Sequence, residues 1–337
     1  MLNIRELRDR ALIRPVKRAV EDQLLDLPGV VAVDIGDKHV DMCSTGEQAI
    51  VVSVRRKERD ERLATGARVP SSVLGIPTDV IEEQPVLQHE HRPLRQVPIG
   101  CRPGEQAPTR GGHGIAPCRP IVLGDRAASD DGRYRRVGTL GALVVGRARD
   151  PVMMGLTTFD VACMDDAWAV GDRMADPDTG RVYAGLARAA LSGRVNVAAV
   201  AIHSGVECFR GISGLGPITG QCAAHPGETV HKSGRGTGVT TGTVVSTDTT
   251  VRVDHGDALG VRVLREQVRV CESSHGSPFT GNGDAGAVLV NSDGCVVGLC
   301  FGGSRDGTVG FACPIADVLT ELDVDLRADP HRRGNVR

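Results

Sequence analysis

Few side chains in this chain fall into a pattern that announces chemistry. Cys101, His113 and Cys118 are of types that bind zinc, but their spacing matches no familiar zinc motif and no fourth ligand accompanies them. The sequence therefore predicts no metal and no cofactor. Gly234-Arg235-Gly236-Thr237-Gly238 has the glycines of a phosphate-cradling loop, yet it lacks the Gly-Lys-Ser/Thr ending and lies between strand-like runs rather than opening a helix. Isolated histidines such as His203, His231 and His255 stand without neighbours that would make them ligands. The ten cysteines form no Cys-x-x-Cys pair, so they are expected as free thiols that pack as small hydrophobes.

The elements that would position a site are easier to read. Residues 4–25 repeat apolar side chains at helical spacing, with an interruption expected near Pro15. Pro28-Gly29 stops that helix, and Val30–Ile35 and Ala49–Val54 follow as two strands. Residues 1–95 are predicted to be a small α/β domain and 96–133, rich in Gly, Pro and charge, a linker. From about 134 to 322 the chain becomes short valine-rich strands separated by turn signals, which predicts an all-β sandwich or barrel closed by a helix over Pro314–Leu322. Residues 323–337 read as a polar tail.

Composition agrees and excludes several functions. Gly is 43 of 337 residues, nearly twice the usual share of about 7%, which suits tight turns between strands. A net charge of -2 and only eight Phe, Tyr and Trp give neither an electrostatic footprint for nucleic acid nor stacking platforms for bases. No apolar run approaches the roughly 18 residues a membrane span needs, and the charged first residues lack a signal-peptide core, so a cytoplasmic location is expected.

Three motifs in order carry a family resemblance. Gly281-Asn282-Gly283-Asp284-Ala285-Gly286-Ala287-Val288, with Gly294–Leu299 and Phe301–Ser304 behind it, resembles the nucleophile loop and following hairpin of trypsin-like serine proteases, where the pattern is Gly-Asp-Ser-Gly. Lys232-Ser233-Gly234-Arg235-Gly236-Thr237-Gly238 resembles the signature that opens the second barrel in a bacterial branch of that superfamily. Leu27–Lys38 and Gly75–Glu82 resemble that branch's N-terminal extension. The resemblance implies a mainly β fold, a trypsin-like double β-barrel with a small N-terminal α/β domain.

It also implies a triad, and here each of its positions is changed. The serine position is Ala285. The histidine position in Leu156-Thr157-Thr158-Phe159-Asp160-Val161 is Asp160, and the carboxylate position in Asn196-Val197-Ala198-Ala199-Val200 is matched to Val197. Without a hydroxyl, or a base to activate one, peptide hydrolysis is not expected. The Gly283–Gly286 turn keeps the residues that aim backbone N–H groups into an oxyanion hole, although its glycines could equally answer only to backbone angles. Asp284 lacks the chain-terminal partner common in the parent fold and requires another donor.

Two functions follow as expectations. One is an inactive pseudoprotease that binds or scaffolds, taking a peptide or small molecule in the former cleft or acting through its N-terminal domain, with self-association through strand edges. The other is a repurposed enzyme doing acid/base chemistry on a small molecule with Asp160, Cys163, His275, Gly283, Asp284 and Ala285. Against the second, Asp160 can be read as a helix cap and Cys163 as packing.

Overall fold

A computed structural model describes residues 4–40, 43–58, 66–94, 108–122, 132–149, 151–164, 167–273 and 277–327. The valine-rich runs form two curved sheets. In the first, Thr229–Gly234, Gly238–Asp254, Val261–Glu272, Val309–Pro314, Cys295–Ser304 and Val288–Asn291 pair in turn, and the last strand pairs back with the first, closing a barrel. In the second, Leu143–Gly146, Met153–Thr157, Asn196–Ile202, Val182–Leu191, Arg173–Ala175, Gly114–Pro117 and Arg133–Thr139 pair in succession. The mainly β, double-barrel architecture expected from the sequence is present. Closure of this kind removes exposed strand edges.

The core is aliphatic, as the composition requires. Val144, Leu156, Val197 and Ala199 of one sheet join Leu299, Phe301 and Phe311 of the other in one buried cluster. The closing helix, Ile315–Glu321, adds Ile315, Val318 and Leu319 to it. Gly238–Asp254 is one strand although its apolar residues fall in two separate runs, and its ladder slips between Val244 and Val251. Bulges leave a strand continuous while breaking its alternation, so the sequence pattern divides where the chain does not.

The expected domain limits need revision. Val30–Val40 pairs with Gly238–Asp254 through Ala32 opposite Val251, so the N-terminal strands extend the first barrel's own sheet. Pro85–Leu87 pairs with Cys295–Ser304, and Glu90–Pro93 pairs with Arg133–Thr139, so residues 85–93 belong to the barrels. The expected linker contains the strands Thr109–Gly111, Gly114–Pro117 and Ile121–Val122, and the expected tail begins with Val324–Leu326 on the edge of the second sheet. Strand pairing is a long-range choice that a local loss of period cannot reveal.

Ile4–Leu25 is one continuous helix that carries Pro15 inside it, and its inward face mixes apolar with charged side chains: Ile13, Leu24 and Leu25 join Val33, Ile35 and Ile50 in a buried cluster. Arg10, Ile13, Lys17, Glu21 and Leu24, spaced three and four residues apart, are buried, while Ile4, Leu7 and Leu12 are exposed. The buried charges are matched: Lys17 pairs with Glu21, both bond the Thr250 hydroxyl, and Arg265 reaches Glu21 at 2.6 Å. Where a helix that buries an apolar face also borders polar strand groups, the charges taken out of water there must be paired. Among the described residues, no helix is long and apolar enough to cross a membrane.

Because Lys17 is sealed against Glu21, Lys17→Met removes one of the carboxylate's two cations, leaving Arg265, and should cost about 1.5–3 kcal/mol in urea unfolding. Leu12→Ser, on the exposed face, should change stability by less than about 0.5 kcal/mol.

Candidate functional site

The glycine-rich turn at Gly281–Gly286 sits where the two barrels meet. Gly283 and Gly286 both have φ near +98°, a backbone region costly for other residues, and a Cβ on Gly286 would come within 2.1 Å of the Thr139 carbonyl. The turn is pinned by Asp284, which is fully buried. Its carboxylate pairs with the equally buried Lys232 ammonium at 2.8 Å and accepts bonds from the N–H groups of Gly236, Thr237 and Gly281 and from the Thr237 hydroxyl. Lys232 is therefore the donor that the buried Asp284 requires. The Ala285 carbonyl accepts from Thr139 N–H, and the Gly283 carbonyl from the Thr139 hydroxyl, which tie the turn to the other barrel.

With the turn fixed, the N–H groups of Gly283 and Ala285 converge, and the oxygen they hold is the backbone carbonyl of Gln88, at 2.7 and 3.0 Å. On one side of that carbonyl, Pro85–Leu87 runs antiparallel to Gly302–Ser304, and Gln88 N–H donates to the Phe301 carbonyl at 3.2 Å. On the other side, Glu90–Pro93 runs antiparallel to Tyr134–Val137 of the second barrel. The Gln88 side chain is buried and donates from Nε2 to the Ser304 carbonyl at 3.3 Å, and a Cβ on Gly303 would approach that nitrogen to 2.9 Å. Residues 85–93 thus fill the cleft as an extended peptide, with the Gln88–His89 bond at the N–H pair.

Both ends of this segment are anchored by charge. Glu83, just before it, is buried against Arg269 at 2.8 Å and accepts from the Ser53 hydroxyl; burial raises its pKa against the pull of Arg269. Beyond it, Glu90 pairs with Arg235 at 2.8 Å, and Arg235 and Arg92 share Asp178.

Next to Gln88 lies Asp160. Asp160 sits in the one-turn helix Phe159–Ala162 and is completely buried. Its Oδ1 accepts from Asn196 Nδ2 at 2.7 Å, its Oδ2 faces His89 Nδ1 at 2.8 Å, and its backbone carbonyl accepts from Arg136 at 2.8 Å. Burial pushes the Asp160 pKa up, but the His89 hydrogen bond, with the fields of His89, His255 and Arg136, outweighs it and holds the group at about 2. Burial lowers the pKa of His89 against the pull of the Asp160 hydrogen bond and charge, and its Nδ1 is hydrogen-bonded to Asp160 Oδ2. A carboxylate with so low a pKa is a weak general base at neutral pH.

The remaining expectations divide. Val197 does not face the site: it lies in the apolar core, and its neighbour Asn196 touches Asp160. A one-residue slip in a strand match sends the side chain to the opposite face, so Asn196 rather than Val197 is the residue that meets Asp160. Cys163 is buried in the apolar cluster with Phe159 and Val161, three residues along from Asp160 and packed as a hydrophobe. The Thr158 side chain makes no cap bond, and Asp160 lies inside the turn it was read as capping. Both His275 and Cys101 lie outside the described residues, and among the described residues no group of His, Cys, Asp and Glu could hold a metal ion. Sequence reasoning missed Gln88, His89, Arg136 and Lys232. The only local signal for the first two is a short extended run bracketed by Pro85 and Pro93.

No family model matches the chain, and no curated protein sequence matches it significantly. It is similar to solved structures of Thermobifida fusca protease A, with 21% identity over 66% of this chain and 100% of that one and a TM-score of 0.47. Cellulomonas bogoriensis chymotrypsin gives 21% identity over 65% of this chain and 98% of that one, with a TM-score of 0.45. Nocardiopsis protease gives 19%, 66% and 100%, with a TM-score of 0.46. These are likenesses of fold.

If residues 85–93 lie in the register of a substrate, installing the missing groups together, as Ala285→Ser, Asp160→His and Asn196→Asp, should produce a cut between Gln88 and His89. The cut should be independent of protein concentration and visible by intact mass. Ala285→Ser alone should leave the chain whole, and a folded triple variant that cuts elsewhere or not at all contradicts the register.

Proposed function

We propose that this chain is a catalytically inactive trypsin-fold protein whose former active-site cleft is a receptor for an extended peptide, occupied by its own residues 85–93, and that it acts by binding or scaffolding. The observation that carries this reading is the Gln88 carbonyl held by Gly283 N–H and Ala285 N–H, flanked on both sides by antiparallel pairing. An oxyanion hole works by receiving a developing charge, and one filled by a resting carbonyl is used for binding instead. Peptide addition to a strand draws its affinity from main-chain bonds and its selectivity from side-chain pockets, and the cleft supplies both.

The repurposed-enzyme reading has less support. Its proposed base, Asp160, is inaccessible, already bonded to Asn196 and His89, and held at about 2. Ala285 supplies no nucleophile, and the nearby hydroxyl of Thr280 is buried while Ser277 is exposed.

Hydrogen exchange tests the reading directly. The amides of Gly283, Ala285 and Gln88 should exchange as slowly as those of the barrel strand Val288–Asn291, and a fluorophosphonate probe should not label the native protein. Labelling would sink the claim of inactivity, and rapid exchange of those three amides would sink the claim that the cleft holds a strand.

A further inference from the structure

Resting on the reading of the cleft as a strand receptor, the changed triad itself has a use. The hydrogen-bonding groups around Asp160 leave one carboxylate oxygen for the bound strand. Asn196 occupies Oδ1 and also receives the Asp160 backbone N–H on its own Oδ1 at 3.3 Å, so it fixes both the carboxylate and the helix turn that bears it. Arg136 holds that turn from below through the carbonyls of Asp160 and Met164. The remaining oxygen, Oδ2, lies 2.8 Å from His89 Nδ1, on the residue that follows the carbonyl seated in the N–H pair.

We propose that Asp160, oriented by Asn196 and Arg136, forms a socket for the imidazole of a histidine placed directly after a glutamine in the bound strand. The ligand class of the cleft is then an extended peptide with Gln-His at its centre, supplied in this structure by Gln88 and His89.

Two features make the socket select imidazole over other donors. The site is sealed, with Asp160 fully buried and the His89 side chain 11% exposed, so a donor must bring its own complementarity rather than borrow water. The guanidinium of Arg136 already faces Asp160, so a second permanent cation such as Lys or Arg would be placed against existing positive potential, whereas a neutral N–H donor would not. A serine-protease triad uses a carboxylate to orient a histidine of the enzyme; here a carboxylate in the histidine's place receives a histidine of the ligand.

Imidazole itself is the probe. His89→Ala should empty the socket, and free imidazole should then bind saturably and raise the melting temperature, with its affinity falling roughly tenfold or more when Asp160→Asn is added. Equal imidazole affinity with and without Asp160, or none beyond that of the unsubstituted protein, overturns the socket. If His89→Ala does not fold, nitrogen NMR of the unsubstituted protein decides: a neutral His89 ring with its proton on Nδ1 supports the proposal, and a proton on Nε2 alone overturns it. Slow exchange of the Gly283 and Ala285 amides in His89→Ala without imidazole binding removes the socket while leaving the strand receptor standing. Fast exchange of those amides in the unsubstituted protein removes the receptor itself.

Discussion

One carbonyl oxygen, that of Gln88, organises the centre of this molecule. It lies at the junction of two barrels and takes two N–H groups from the Gly283–Ala285 turn. Buried backbone donors left without an acceptor are costly, so a turn shaped to converge two of them demands an occupant. That demand draws in residues 85–93, and the strand pairings on either side of Gln88 then bind one barrel to the other through a single extended segment. The glycines at 283 and 286, the Thr139 contacts and the Gly303 approach to the Gln88 side chain all serve the same geometry.

Charge burial follows a consistent rule around this centre. Asp284 is tolerated because Lys232 and four further donors surround it, and Glu83 because Arg269 and Ser53 meet it. Asp160 is tolerated because Asn196 and His89 each take one oxygen. Each pair sits where a segment must be fixed against a barrel, and loss of one partner would leave an uncompensated charge. These pairs specify which strand goes where, more than they add net stability.

The N-terminal helix obeys the same logic on a larger scale. It rests on Val30–Val40 and Cys43–Val54 through its apolar side chains, and where it borders the strand Gly238–Asp254 the Thr250 hydroxyl lies between Lys17 and Glu21 and Arg14 pairs with Asp248. A barrel strand that already satisfies its apolar side toward the core presents polar groups outward, and a helix that packs there must match them. The N-terminal strands complete the attachment by joining the sheet at Ala32 and Val33.

Much of the fold was legible in the chain itself. Alternating valines and glycine-marked turns give strands because side-chain period and turn angles are local properties, and the Gly-Asp-Ala-Gly turn with the Lys232 run was readable for the same reason. That position 285 carries no hydroxyl and that position 160 carries a carboxylate were equally open to reading. What the sequence left undetermined was every relation set by long-range pairing. Val197 was matched where Asn196 belongs, because strand register is settled by the partner strands and a slip of one residue reverses the face. Pro85–Pro93 read as part of a separate domain, since nothing in its composition records that two barrels leave a groove of its length between them. His89 and Asp160 are 71 residues apart, and only the closing of the barrels brings an imidazole to a carboxylate. The sequence by itself determined the elements and the side chains present at positions 160 and 285; the tertiary structure decided what fills the space between the barrels, because a cleft acquires an occupant only when distant strands converge to form it.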